Sequence, residues 1–79
     1  MTPTVLRVGP YRLFFYPGDR HEPPHIHVAR DGREAKFWLK PVECAYNDGF
    51  AAHELRRIER MVNEREKALL EAWDAYFPD

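Results

Sequence analysis

Two periods divide this chain. Up to residue 40, apolar and polar positions tend to alternate, and from residue 51 onward they recur every three or four. In the first part, Val5-Leu6-Arg7-Val8 and Tyr11-Arg12-Leu13-Phe14-Phe15-Tyr16 are rich in β-branched and aromatic residues and are separated by Gly9-Pro10. A two-residue hairpin turn fits between them. Pro17-Gly18-Asp19-Arg20-His21-Glu22-Pro23-Pro24 reads as a loop by composition. Segments 25–30 and 33–39 then flank Asp31-Gly32, one of the strongest short hairpin signals. Pro41 stops the fourth strand, and 42–50 is a connection, or a short fifth strand, ending at Asn47-Asp48-Gly49. Leu55, Ile58, Val62, Leu69, Trp73 and Tyr76 follow helical spacing, so a helix is predicted over 51–77. Such a helix would run about 39 Å, longer than a four-strand sheet is wide. It therefore bends near Asn63-Glu64-Arg65-Glu66 or projects its aromatic end toward another chain.

The second hairpin also fixes faces. A two-residue turn at Asp31-Gly32 sets Ile26 opposite Phe37 and Val28 opposite Ala35, an apolar face for the helix to cover. The other face carries His25 opposite Trp38, His27 opposite Lys36 and Ala29 opposite Glu34. A one-residue slip would put both histidines and Lys36 into the core, so burial enforces the register. In the first hairpin Leu6, Val8, Tyr11, Leu13 and Phe15 share one side, and Val5, Arg7, Arg12, Phe14 and Tyr16 the other. If the helix takes the first set, Arg7 and Arg12 join the histidine face. Two directly opposed arginines cost stability unless an anion lies between them.

Composition narrows the class without naming an activity. Seventy-nine residues, 44% hydrophobic and 14% aromatic, make one small globular domain with a single thin core. Cys44 is alone, so no internal disulfide forms and a reducing compartment is expected. No stretch approaches the ~20 apolar residues of a membrane span, and Met1-Thr2-Pro3-Thr4 has none of the regions of a signal peptide. A cytoplasmic location follows. The net charge of −1 conceals an asymmetry, because residues 1–40 carry +3 and residues 41–79 carry −4. That sign favours an anionic partner for the first half.

Three readings of the histidine face compete. In one, the histidines are amphipathic residues on an exposed or interface surface, packed on Trp38, and the domain is a non-enzymatic module docking a small protein. In another, His25-x-His27 aims two imidazoles the same way at a metal. A third ligand must then come from Glu22, His21 or Glu34, and Lys36 beside His27 would repel the cation. In the third, His25 and His27 act as general base and acid on a phosphate ester while Lys36 and an arginine stabilise phosphoryl charge. The same cluster, with Trp38 or Tyr16 as a stacking platform, also suits RNA binding without cleavage. Cys44 is expected to be a small core residue, and His53 a surface one. No phosphate loop or dinucleotide fingerprint is present.

The run from Thr4 to Arg12, Phe15-Tyr16, Gly18-Asp19, Glu22-Pro23-Pro24-His25-Ile26-His27-Val28 and Ala35-Lys36-Phe37-Trp38-Leu39 resembles a small prokaryotic family, the domain of unknown function 4160. Glu54-Leu55-Arg56-Arg57-Ile58-Glu59 and the terminal Trp73 with Tyr76-Phe77 also match. The resemblance spans nearly the whole chain. It implies the toxin-side member of a proposed toxin–antitoxin pair, whose partner is a small neighbouring protein. Where a Ser often precedes the helix in that family, this chain has Ala51, removing a capping oxygen opposite Glu54.

The expectation is thus an α+β domain over 1–79, with two antiparallel hairpins in a small sheet and one long C-terminal helix on its apolar face. The favoured function is a toxin-side protein that binds or cleaves RNA without metal or other cofactor. His25, His27 and Lys36 would supply the chemistry, and Arg7, Arg12, Trp38 and Tyr16 would hold the anion. The expected partners are a small antitoxin-like protein, RNA, and a second copy through the helix. Docking of a small protein partner is the alternative, and a metal held by His25, His27 and Glu22 is the third.

Overall fold

The computed structural model describes residues 4–78. The N-terminal Met1-Thr2-Pro3, part of the signal-peptide argument, and Asp79 lie outside the described residues. Five strands, β1 (Thr4–Val8), β2 (Tyr11–Phe14), β3 (His25–Arg30), β4 (Arg33–Leu39) and β5 (Val42–Asp48), form one antiparallel sheet in chain order. Two helices follow, α1 (Ala52–Glu64) and α2 (Glu66–Tyr76). None is long and apolar enough to cross a membrane among the described residues.

The second hairpin's register agrees with the sequence pattern. The first agrees from Leu6 to Leu13, but a bulge between Thr4 and Leu6 sets Thr4 opposite Phe14, so that Val5 and not Leu6 packs against the core. His25 pairs with Trp38, Ile26 with Phe37, His27 with Lys36 and Val28 with Ala35 across β3 and β4. The turn needs positive φ at both central positions, and Asp31 and Gly32 adopt 50° and 79°. Arg7 pairs with Arg12 and Val8 with Tyr11 across Gly9-Pro10. Strands β2 and β3 then pair directly, with Phe14 opposite His27.

Two expectations are corrected. Segment 42–48 is a full fifth strand, so the sheet is a five-strand meander and not two hairpins alone. The strand is weakly patterned because its register shifts between Lys36 and Phe37: Lys36 faces Tyr46 while Phe37 faces Cys44. Ala45 is the extra residue, and this bulge sends Cys44 and Tyr46 to opposite faces despite their spacing of two. The single long helix is also two helices. Arg65, at φ −118° and ψ 14°, interrupts the ladder, and its N–H bonds back to the Val62 carbonyl. The break lets α2 turn and follow the end of the sheet.

Leu13, Ile26, Val28, Ala35, Phe37 and Leu39 from the sheet and Ile58, Val62 and Leu69 from the helices form the core. Each buried Leu, Ile or Phe adds roughly 1.5–3 kcal/mol of hydrophobic stabilisation before entropy is counted. Helix α1 starts at Ala51 without a side-chain cap. It is tied to the sheet instead by Glu54, whose Oε2 accepts from the Tyr11 hydroxyl at 2.8 Å and from Arg30 at 2.9 Å. Cys44 is half-buried against the core, His53 is exposed, and Trp73 is buried while Tyr76 is largely exposed.

Candidate functional site

The second face of the sheet is not open. Residues 15–24 connect two adjacent antiparallel strands, far more chain than a tight turn needs, and the excess folds back across that face. Its centre is a 3₁₀ turn at Pro17–His21. The Asp19 N–H donates to the Tyr16 carbonyl, and Asp19 Oδ2 accepts the Tyr16 N–H at 2.9 Å. That reciprocal clasp turns the Asp19 carboxylate inward. His25 is fully buried beneath it, His27 is 4% exposed and Asp19 8%.

Three side chains converge there. His25 Nε2 and His27 Nε2 lie 2.9 and 3.1 Å from the same oxygen, Asp19 Oδ2. One potential ligand atom from each residue falls within 4.8 Å of the others. Aromatic rings wall the group. Phe14 stacks on His27 at 5.4 Å, Tyr16 meets it edge-on at 4.5 Å, and Trp38 and Trp73 lie 5.6 and 4.9 Å from His25. Polar groups in so apolar a setting are costly unless partnered.

The outward nitrogens show how the rings are held. His25 Nδ1 lies 2.9 Å from the Pro23 carbonyl. A carbonyl only accepts, so Nδ1 carries a proton, and in the neutral tautomer this leaves Nε2 as the bare nitrogen facing the carboxylate. This Nε2 is buried and has no hydrogen-bond partner of acceptable geometry. His27 Nδ1 lies 3.4 Å from both Tyr46 Oη and Glu34 Oε2, and the Tyr46 hydroxyl donates to that same Glu34 oxygen at 2.6 Å. The Tyr16 hydroxyl donates to Glu34 Oε1 at 3.1 Å.

Electrostatics follow from this packing. Burial lowers the His27 pKa, and the Asp19 charge opposes that only in part. For Asp19, burial alone would raise the carboxyl, but the Tyr16 amide, and the two imidazoles when they carry their protons toward it, outweigh it and leave it below its ordinary value. Burial, reinforced by Glu34, raises the Tyr46 hydroxyl well above the usual tyrosine range, so it stays a donor.

A family model described as a domain of unknown function, DUF4160, matches residues 11–74. The chain belongs to the DUF4160 family. No curated protein and no solved structure matches it. The matched span holds Asp19, His25, His27, Glu34, Tyr46 and Trp73. In this DUF4160 chain the buried His/Asp cluster has the make-up of a metal-binding or catalytic centre.

The residues singled out from the sequence separate in the DUF4160 fold. His25 and His27 come together, but buried and not on an open basic surface. Lys36 does not oppose a cation at the cluster, because its ammonium pairs with Glu22 and sits 4.5 Å over the Trp38 ring. Glu22, the expected third metal ligand, is thereby turned to Lys36, and its Oε1 is 3.7 Å from His25 Nδ1, on the far side of the ring from Asp19. Tyr16 packs on His27 and Trp38 on His25. Arg7 and Arg12 sit at the rim, with the Arg12 guanidinium over Phe14 at 4.5 Å. Asp19, Glu34 in its outer role and Tyr46 escaped the sequence reading. For Asp19 a signal existed: a ten-residue link between neighbouring strands has to cross one face, and Asp19 stands at its middle.

Proposed function

We propose that this protein is a divalent transition-metal-binding protein with one centre, held by His25 Nε2, His27 Nε2 and Asp19 Oδ2. The observation that carries the reading is the buried, unpartnered His25 Nε2, aimed at a carboxylate oxygen while its other nitrogen is committed to the Pro23 carbonyl. Two acceptors facing each other in a dry site call for a cation between them. Two imidazoles and one carboxylate are a common donor set for zinc, iron or cobalt, and ligand atoms sharing such an ion lie about 3.3 Å apart. The observed separations of 2.9 and 3.1 Å need little adjustment. An ion with three protein ligands supplies a Lewis-acid position for water or substrate. The chain's own part is to hold both rings, exclude water with Phe14, Tyr16, Trp38 and Trp73, and keep Asp19 ionised.

Titration of tag-free apo protein with zinc and cobalt, followed by calorimetry and elemental analysis, tests the centre. One equivalent bound by wild type and none by Asp19→Asn or His27→Ala is the expected result. A folded wild-type protein that takes up neither ion overturns it, and the cluster is then held by a proton.

A second reading keeps the RNA-directed, toxin-side role. Arg7 opposes Arg12, Arg30 opposes Arg33, and the four line one groove of about 350 Å³ with Asp31 and Glu34. Arg30 is paired with Asp31 and Glu54, so the charges of Arg7 and Arg33 are the ones that favour an anion at that rim, as a phosphate backbone provides. Anisotropy with single-stranded RNA at rising salt tests it, alongside growth arrest on expression and its relief by a neighbouring partner protein. RNA affinity unchanged in an Arg7→Gln/Arg33→Gln variant removes the groove from this reading.

A further inference from the structure

Within that metal reading, on which this step rests, we infer that Glu34 and Tyr46 are positioning residues that turn His27 into a ligand by accepting a hydrogen bond from a proton on its outer nitrogen. His25 has no choice of tautomer, because the Pro23 carbonyl holds its Nδ1 proton. His27 does have one. Its Nε2 can donate to Asp19 Oδ2 at 3.1 Å, or its Nδ1 can donate toward Tyr46 and Glu34 at 3.4 Å. A neutral imidazole carries one proton, so the ring that bonds Asp19 through Nε2–H cannot ligate through Nε2.

The pair on the outer side is built to accept a hydrogen bond from that proton once it sits on Nδ1. Because the Tyr46 hydroxyl donates to Glu34, its oxygen faces His27 as an acceptor, and Glu34 Oε2 is an acceptor in its own right. The Tyr16 hydroxyl anchors the other carboxylate oxygen and so fixes the position of Glu34 from a second strand connection. The bulge at Ala45 is what puts Tyr46 on this face at all. A carboxylate behind a ligating histidine fixes ring orientation and raises the basicity of the inner nitrogen, and its loss costs about 10–100-fold in metal affinity. When a cation occupies Nε2, the His27 proton passes to Nδ1 and no atom is gained or lost.

The test compares wild type, Glu34→Gln, Tyr46→Phe, their double variant and Tyr11→Phe for zinc affinity by competition calorimetry. Long-range nitrogen–proton correlation spectra report the His27 tautomer before and after zinc. Wild type is expected to move from Nε2–H to Nδ1–H on binding, and the double variant to lose tenfold or more in affinity. Tyr11→Phe removes a comparable tyrosine–carboxylate bond, to Glu54 on the helix side of the sheet, and should stay within about threefold, separating positioning from loss of structure. A double variant that binds zinc as tightly as wild type overturns the inference and leaves the metal centre standing. A wild-type protein that binds no zinc overturns both.

Discussion

His25 Nδ1 lies 2.9 Å from the carbonyl oxygen of Pro23, and that contact decides which nitrogen the ring offers to its buried neighbours. Pro23 and Pro24 hold the chain extended as it enters β3, so the carbonyl arrives beside the ring two residues on. The tandem prolines therefore belong to the centre as much as to the loop. Replacing Pro24 with Ala relaxes the restriction on Pro23. Zinc affinity is expected to fall several-fold while the sheet's amide spectrum is preserved, a comparison that calorimetry and NMR make directly.

Substituting Asp19 by Asn keeps its size and removes the charge that both imidazoles face. The apo protein is expected to lose about 1–3 kcal/mol, because the Tyr16 and His27 N–H groups then bond a neutral amide oxygen in place of a carboxylate. Urea unfolding reads this loss. Metal affinity should fall by more than about 100-fold, beyond the effect of any outer residue.

Acid should weaken the apo fold in two steps. The folded His27 pKa lies below its ordinary 6.5, so the folded state binds fewer protons than the unfolded one as pH falls. Its stabilising contribution is complete above about pH 6.5 and disappears as pH drops through the lowered value. Asp19 behaves likewise below its ordinary 3.8. Tyr46 has the opposite sign: its raised value means stability is lost only as pH rises beyond the ordinary 10.0. Thermal midpoints across pH should form a plateau from near neutrality to about pH 10. His27→Gln should remove the first acid step.

Metal should act as a staple on the loop over the sheet. At a free zinc concentration 100 times Kd, the fold is expected to gain about 2.7 kcal/mol, the value of simple linkage. The Tyr16 amide, bonded to Asp19 Oδ2 at 2.9 Å, should show the largest local slowing of hydrogen exchange. Equal slowing across all strands would place the gain elsewhere.

Gly32 carries φ +79° in the turn that sets the histidine register. Gly32→Ala has open space for its methyl group but the wrong backbone preference, and about 1 kcal/mol or more of stability should be lost. Denaturant midpoints measure it.

How far the sequence could be read follows from the range of the contacts. The β3–β4 register was legible because a two-residue turn and period-2 alternation are local, and both agree with burial of Ile26, Val28, Ala35 and Phe37. The bend expected near Asn63–Glu66 was visible for a similar reason, since a straight helix would overrun the sheet. Asp19 was legible only as the middle of an over-long link, because its partners lie on a strand it reaches only when the loop folds over. Tyr46 was not visible: a bulge reverses alternation, and no local residue announces Ala45 as the extra one. Lys36 misled from sequence alone, since its neutralisation by Glu22 depends on the same loop.

Both tryptophans of the chain flank one imidazole, Trp38 at 5.6 Å and Trp73 at 4.9 Å from His25, and Trp73 also touches Phe15 at 5.3 Å. The indole emission of the whole molecule thus originates beside the cluster, with no distant indole to dilute it. An open-shell ion such as cobalt or copper at His25 would quench that emission, whereas zinc, with a filled shell, would mainly shift it. Intrinsic fluorescence is therefore an internal gauge of occupancy, usable without dye or tag, and Trp73 carries the same signal to the packing of the hydrophobic core.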